Sequence, residues 1–280
     1  MKLKDIENGT CISVGLILLS FLNLFVPYHM GVYPKSGILV NQSETRKVDK
    51  GQFDMFDTVQ KKLYEMASKP LNQTSISERK QFTLDGWQRA SGGLRDSDRL
   101  LLGELYYKSD SVFEFGLGES TQIAAHVGVP RYSGVDSDTK WVETARDSSN
   151  MDHFRFSFAD IGETLRYGVP TNENLQKIQY NYQIAPLVVE TKPFDFYLVD
   201  GRYRISCACV SFLHAMKHGG DMSKVMVAIH DYHRTAYHEI IKVGELVHHS
   251  TLLAVFKLKP NITQYDVFKV WEDFSLDKQR

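Results

Sequence analysis

Apolar residues along this chain fall into three regimes. The first is "CISVGLILLSFLNLFVP" (Cys11 to Pro27), a run without any charged residue. The second is Phe53, Phe56, Val59, Leu63 and Met66, whose spacing predicts a helix that ends before Pro70. The third begins near Asp96, where "DSDRLLLGELYYKS" reads as a helix with an aspartate start and one apolar face. Short apolar strands then alternate with helical stretches. Strands are expected at 111–118, 131–138, 153–162, 194–201 and 224–232, with helices between them. The chain 234–249 reads as one more helix, and "STLLAVFKLK" and "QYDVFKVWED" read as closing strands. Alternation of this kind predicts an α/β fold with a mainly parallel sheet and helices on both faces.

The polar stretches set the boundaries. Residues 34–51 are mostly polar and aperiodic, as a stem would be, and Gly92-Gly93 marks a break. The expected organisation is a tail at 1–10, a membrane segment at 11–33, a stem with an accessory helix at 34–90, and a folded domain at 91–280.

The apolar run reaches the lower limit for a bilayer span, and "YHMGVY" extends it with interfacial residue types. A cleaved signal peptide and a buried core helix compete with this reading. The first lacks a nearby small-residue cleavage site, and the second lacks a polar face, so a single-pass signal anchor fits best. Lysines and arginines flank the run on both sides and barely orient it. Asn-x-Ser/Thr triplets at Asn41, Asn72 and Asn261 favour a lumenal domain, in the endoplasmic reticulum or Golgi.

Composition narrows the partners. The chain has 280 residues, 42% of them hydrophobic and 24% charged, which excludes wholesale disorder. A net charge of −1 supplies no basic field for nucleic acid, so a small molecule or glycan is the expected partner. Cys207 and Cys209, two apart on a helix, point to different faces and are badly placed for a disulfide. Trp141 reads as core packing, and His238, His248 and His249 as a solvated helix face.

In an open α/β sheet ligands bind beyond the carboxyl ends of the strands, so the residues there are informative. The first strand ends "EFGLGEST" (Glu114 to Thr121), where Gly116 and Gly118 allow a tight turn and close approach of a ligand to a helix N-terminus that includes Ser120. Thr121 stands where a dinucleotide loop would have a third glycine, against an NAD-dependent oxidoreductase. Asp136 follows Gly116 by twenty positions, as a ribose-binding acid does; a helix-capping role competes with that reading. Asp160 suits an adenine amino group and Ile161 the face of the base. Asp200 and Asp231 end the fourth and fifth strands, and two converging carboxylates repel unless a cation or proton lies between them.

In "FEFGLGEST", "YSGVDSD" and "FADIG" the chain resembles the class I S-adenosylmethionine-dependent methyltransferases, over roughly residues 96–259. That resemblance implies a Rossmann-like methyltransferase fold binding S-adenosyl-L-methionine. Glu114, Gly116 and Gly118 would then line the methionine moiety, Asp136 the ribose and Asp160 the adenine. "LVDGRYR", "GG" and "IHDY" further resemble the catechol O-methyltransferase-like branch, which implies a divalent cation such as Mg2+ held by Asp200 and Asp231. Such an ion would acidify an acceptor hydroxyl. The chain departs from that branch at Tyr232, where an asparagine ligand would stand, and at Tyr203, where a lysine base would stand. Without metal, His230 oriented by Asp231 is the candidate base, against the plainer reading of a packed histidine. Arg202 and Arg204 are candidates for an anionic group on the substrate. The expected function is O-methylation of a hydroxylated small molecule or glycan; a catalytically inactive methyltransferase-fold binding protein is the alternative.

Overall fold

The computed structural model describes residues 79–275 apart from 91–92, 166–167 and 172–176. The chain divides into two units, Met1–Pro70 and Leu71–Arg280, and the described residues lie in the second. The expected anchor at 11–33, the helix from Phe53 to Met66, Cys11, Asn41 and Asn72 lie outside them. Among the described residues no helix is long and apolar enough to cross a membrane.

Helix α1 (Asp96–Lys108) leads into strand β1 (Ser111–Phe115) and helix α2 (Glu119–Val127). Strand β2 (Arg131–Asp136), helix α3 (Thr139–Ser149) and strand β3 (Arg155–Phe158) follow. A small hairpin, β4 (Thr164–Leu165) and β5 (Val169–Pro170), precedes a π-helical segment (Ile178–Ile184) that runs into α4 (Ala185–Val188). Then come β6 (Phe196–Val199), α5 (Arg204–Lys217), β7 (Met226–Ile229), a 3-10 helix (Thr235–Lys242), β8 (Gly244–His249), β9 (Ala254–Leu258) and α6 (Gln264–Phe274).

Seven strands form one sheet in the order β3-β2-β1-β6-β7-β9-β8. The first five are parallel, and β9 runs antiparallel between β7 and β8. Every residue of β1 and β6 is buried, as strands covered on both faces must be. Alternate side chains serve opposite layers. Val112, Phe196 and Leu198 join the core with Leu102, Tyr106 and Ile123 of α1 and α2 and Val142 of α3. On the other side Phe115 meets Tyr182 of the π-helical segment, and Tyr197 bonds His214 of α5. Cys207 and Cys209 are buried in α5, where loss of hydration pushes both thiols up.

The packed body reaches back before Asp96. Phe82 belongs to the core, and Leu84 and Trp87 pack against it. Phe82 fills the space beside Gly103, where any Cβ would collide with its ring.

Three expectations are corrected. The chain 234–249 is not one helix but the 3-10 turn followed by edge strand β8, because pairing along β9 outweighs the local helical period. His248 and His249 are therefore exposed on a strand. The segment "QYDVFKVWED" is helix α6 rather than a strand: the Thr263 hydroxyl accepts from the Asp266 amide at 3.2 Å and the Asp266 carboxylate accepts from the Thr263 amide at 2.8 Å. Its buried residues Val267, Phe268, Val270 and Trp271 follow a helical stripe. Trp141 is 50% exposed rather than core, since α3 buries Val142, Ala145 and Ser149 instead.

Candidate functional site

Strand order reverses between β1 and β6, so the crevice expected for a ligand lies beyond their carboxyl ends. The turn after β1 is built for close approach. Gly116 has φ +88, and a Cβ there would lie 2.6 Å from the Gly201 nitrogen at the end of β6. Only glycine fits both the left-handed backbone and that contact. Gly118, by contrast, has open space where its Cβ would be. It immediately precedes α2, a helix N-terminus whose first amides lack partners within the helix.

Asp136 fixes this turn to β2. Its carboxylate accepts from the amides of Leu117 and Asp138, each at 2.9 Å. Burial raises its pKa to about 6, against the pull of those backbone amides. The β2 end also carries Ser137, and the β4–β5 hairpin brings Gly168 against the Ser137 hydroxyl, with Arg202 beyond. Asp160 is exposed at the end of β3, paired with Lys177 at 2.9 Å and accepting from the Gly162 amide at 2.9 Å. The Lys177 bond, followed by that amide, holds its pKa down. Ile161 beside it is 1% exposed. Gly116, Gly118, Asp136, Asp160 and Ile161 thus share the carboxyl edge of the sheet.

Glu114 and Ser120 do not open onto the crevice. Glu114 is 0% exposed, and its carboxylate accepts from Tyr106 at 2.5 Å, Tyr132 at 2.6 Å, Thr121 at 2.8 Å and Ser120 at 3.2 Å. Burial raises its pKa to about 7 despite those four hydroxyls. It ties α1, α2 and β2 together and positions the turn from inside. Thr121 is buried in the same cluster and also receives a hydrogen bond from the Gly118 amide at 3.3 Å. Glu119, the residue after Gly118, is gripped by Arg99 through bonds of 2.7 and 2.8 Å and by the Trp87 indole at 2.8 Å.

At the ends of β6 and β7 the expected pair does converge, but a guanidinium lies between its members. Arg204 Nη2 is 3.1 Å from Asp200 and 3.2 Å from Asp231. Arg234 adds a second cation at 3.0 Å from Asp231. No group of three or more candidate ligands for a metal occurs among the described residues. The residues present therefore do not fit a Mg2+-type site, which needs several open oxygen ligands.

His230 is also not placed as a base. It is 2% exposed, its Nδ1 bonds Asp200 at 2.9 Å and lies 3.6 Å from Asp231. Burial favours the neutral ring, but the charge and hydrogen bond of Asp200, then Asp231, outweigh it and raise the pKa. Asp200 falls below its usual range in turn: burial opposes ionisation, and His230 and Arg204 overcome that. His230 Nε2 faces buried Asp98 of α1 at 3.9 Å and is the buried side-chain polar atom without a hydrogen-bond partner among the described residues.

Sequence reasoning missed Asp98, the Arg99–Glu119 pair and the bridging role of Arg204. The last had no local signal, since Asp200 precedes the helix that Arg204 opens and the left-handed Tyr203 turns the chain between them.

No family model and no curated protein sequence matches the chain. Among solved structures it is similar to a methyltransferase-like protein from Silicibacter pomeroyi, at 21% identity and a TM-score of 0.54, covering 65% of this chain and 95% of that one. It also aligns with the N-methyltransferase NodS from Bradyrhizobium japonicum, at 11% identity over 57% of this chain and 93% of that one. An RNA methyltransferase from Salinibacter ruber aligns at 13% identity over 59% and 91%. TM-scores of 0.33 and 0.32 make these two too distant to draw on. The first likeness shows the fold: a Rossmann-like methyltransferase fold.

Proposed function

We propose that this chain is an S-adenosylmethionine-dependent methyltransferase whose cofactor lies over Gly116–Gly118, with Asp136 at the ribose and Asp160 and Ile161 at the adenine. The observation that carries the reading is the open face of Gly118 at the switch point, beside a turn pinned to Asp136. The antiparallel β9 between β7 and β8 supports it over a dinucleotide oxidoreductase, since it departs from the six-strand order 3-2-1-4-5-6 of the dinucleotide fold. Thr121 supports it too, since its side chain is occupied holding Glu114 where a dinucleotide loop needs glycine.

The acceptor is a hydroxylated small molecule or glycan, methylated on oxygen. Transfer here relies on holding the acceptor oxygen in line with the cofactor methyl group, with the acceptor proton released to solvent water, because His230 is buried and bonded to Asp200. Residues 11–33 anchor the chain in a membrane of the endoplasmic reticulum or Golgi with the domain in the lumen; the uncharged run supports the anchor and the triplets at Asn41, Asn72 and Asn261 support the side. Asn261 is exposed in the turn after β9. Unchanged gel mobility after glycosidase treatment of native protein would remove the lumenal placement.

A second reading, a methyltransferase-fold binding protein without turnover, is favoured by the internal neutralisation of Asp200, Asp231 and His230. Calorimetric titration of the full-length chain in detergent with S-adenosylmethionine and with NAD separates the readings. Binding of the first alone supports the proposal, and a screen of phenols and sugars for methyl transfer divides enzyme from binding protein. Binding of neither ligand would overturn the proposal and favour the binding protein.

A further inference from the structure

We propose that Arg204 is a positioning residue that occupies the seat between Asp200 and Asp231, so that this edge of the crevice is assembled by a built-in organic cation and needs no divalent metal. The inference rests on the methyltransferase reading only for its cofactor-binding readout.

The guanidinium is tethered on every side. Beyond the two carboxylates, Nη1 donates to the His230 carbonyl, Nε to the Gly201 carbonyl at 3.0 Å, and Nη2 lies 3.3 Å from the Asp200 carbonyl. Its carbon lies 5.2 Å from the centre of the Tyr237 ring. The side chain is 9% exposed, so these contacts operate with little competing water. A planar fork of five donors suits such a set, and a lysine ammonium cannot reproduce it.

What the tethers hold is strained backbone. Tyr203 and Asp231 have φ +52 and +56, in the left-handed region that side chains other than glycine seldom adopt. Asp231, like Asn150 and Asn261, is of a type that tolerates it, so the strain falls on Tyr203. Arg204 grips the carbonyl of His230 just before Asp231, and that of Gly201 two residues before Tyr203. One side chain therefore ties both strand ends to a single guanidinium, the strained turn at Tyr203 included. Gly201 in turn packs on Gly116, so the effect reaches the glycine turn. This also corrects the expectation that Arg204 holds an anionic group on the substrate: its donors are already committed within the chain.

The test uses the full-length chain in detergent. Melting temperature and S-adenosylmethionine affinity are measured with a chelator, with Mg2+ and with Mn2+, for wild type, Arg204→Lys and Arg204→Met. Wild type should be indifferent to all three additions. Arg204→Met should melt lower by about 10 °C, as the loss of one partner from a buried ion cluster does in a domain of this size. It should also gain a Mn2+-dependent rise, because Asp200 and Asp231 then keep only His230 and Arg234 beside them and the seat between them opens to a diffusible cation. Arg204→Lys should recover only part of the loss. Stabilisation of wild type by Mg2+ or Mn2+, or loss of its cofactor binding in chelator, would overturn the proposal even if no variant folds. So would an Arg204→Met protein as stable as wild type. If wild type binds no S-adenosylmethionine, the proposed function falls, and the melting series still decides the role of Arg204.

Discussion

Glu114→Gln should make the protein more stable than wild type at pH 8 and leave it nearly unchanged at pH 5. The carboxyl has no exposure, and its pKa is raised from 4.5 to about 7 by burial. Below pH 4.5 both the folded and the unfolded chain hold the proton, and the group adds no pH dependence. Between 4.5 and 7 the folded chain keeps a proton that the unfolded chain releases, so stability falls as pH rises. Above pH 7 both forms are ionised and the loss is complete. A displacement of about 2.5 pH units at about 1.4 kcal/mol each amounts to about 3 kcal/mol. Glutamine resembles the protonated acid: its oxygen keeps the Tyr132, Thr121 and Ser120 bonds while its amide donates to the Tyr106 oxygen. Urea unfolding of both proteins from pH 5 to 8.5 reads the difference directly, and other groups cancel because they titrate in both. Parallel curves would refute the argument, since they would mean that Glu114 does not titrate in the folded state in this range. Glu114→Ala is the contrasting change. It removes the shared acceptor of four buried hydroxyls, of which Tyr132 and Thr121 keep a bond to each other at 3.0 Å, and should cost several kcal/mol at every pH, at about 1–3 kcal/mol for each group left unsatisfied.

Asp136→Ala should weaken S-adenosylmethionine binding by about 1.5–3 kcal/mol in calorimetry, by losing bonds to a charged group; unchanged affinity would remove Asp136 from the site. Arg99→Met should cost about 3–5 kcal/mol in chemical unfolding, because Glu119 would remain buried without its partner. Trp141→Ala should change stability by less than about 0.5 kcal/mol, as exposed positions do, and a larger loss would contradict its outward placement.

The five parallel strands were legible because each is a short apolar run bounded by turn residues, and the strand-end residues Gly116, Asp136, Asp160, Asp200 and Asp231 could be placed at one edge by topology alone. The closing elements were not. In 264–274 the apolar residues suit two periods, and the Thr263–Asp266 cap decides for the helix. In 244–249 the decision lies with β9, a partner that no local window contains. The chemistry at the sheet edge was legible as residue types and misread as roles. That Asp200 and Asp231 needed a cation followed from charge repulsion; which cation depended on the reach of Arg204 across the top of β7. Glu114 stood in the right motif, but its direction follows strand parity, which turns it towards Tyr106 and Tyr132 rather than the crevice.

The grip of Arg99 and Trp87 on Glu119 has a practical side. Trp87 and Phe82 lie upstream of the Gly92-Gly93 break, yet one holds the first residue of the helix that follows the glycine turn and the other plugs a slot in α1. A version of the protein trimmed to start at residue 91 would lose both wedges and leave the loop meant to receive the cofactor unbraced. Anyone excising or grafting this domain should keep its leading strap from residue 79 onward, as one keeps the hinge with a door.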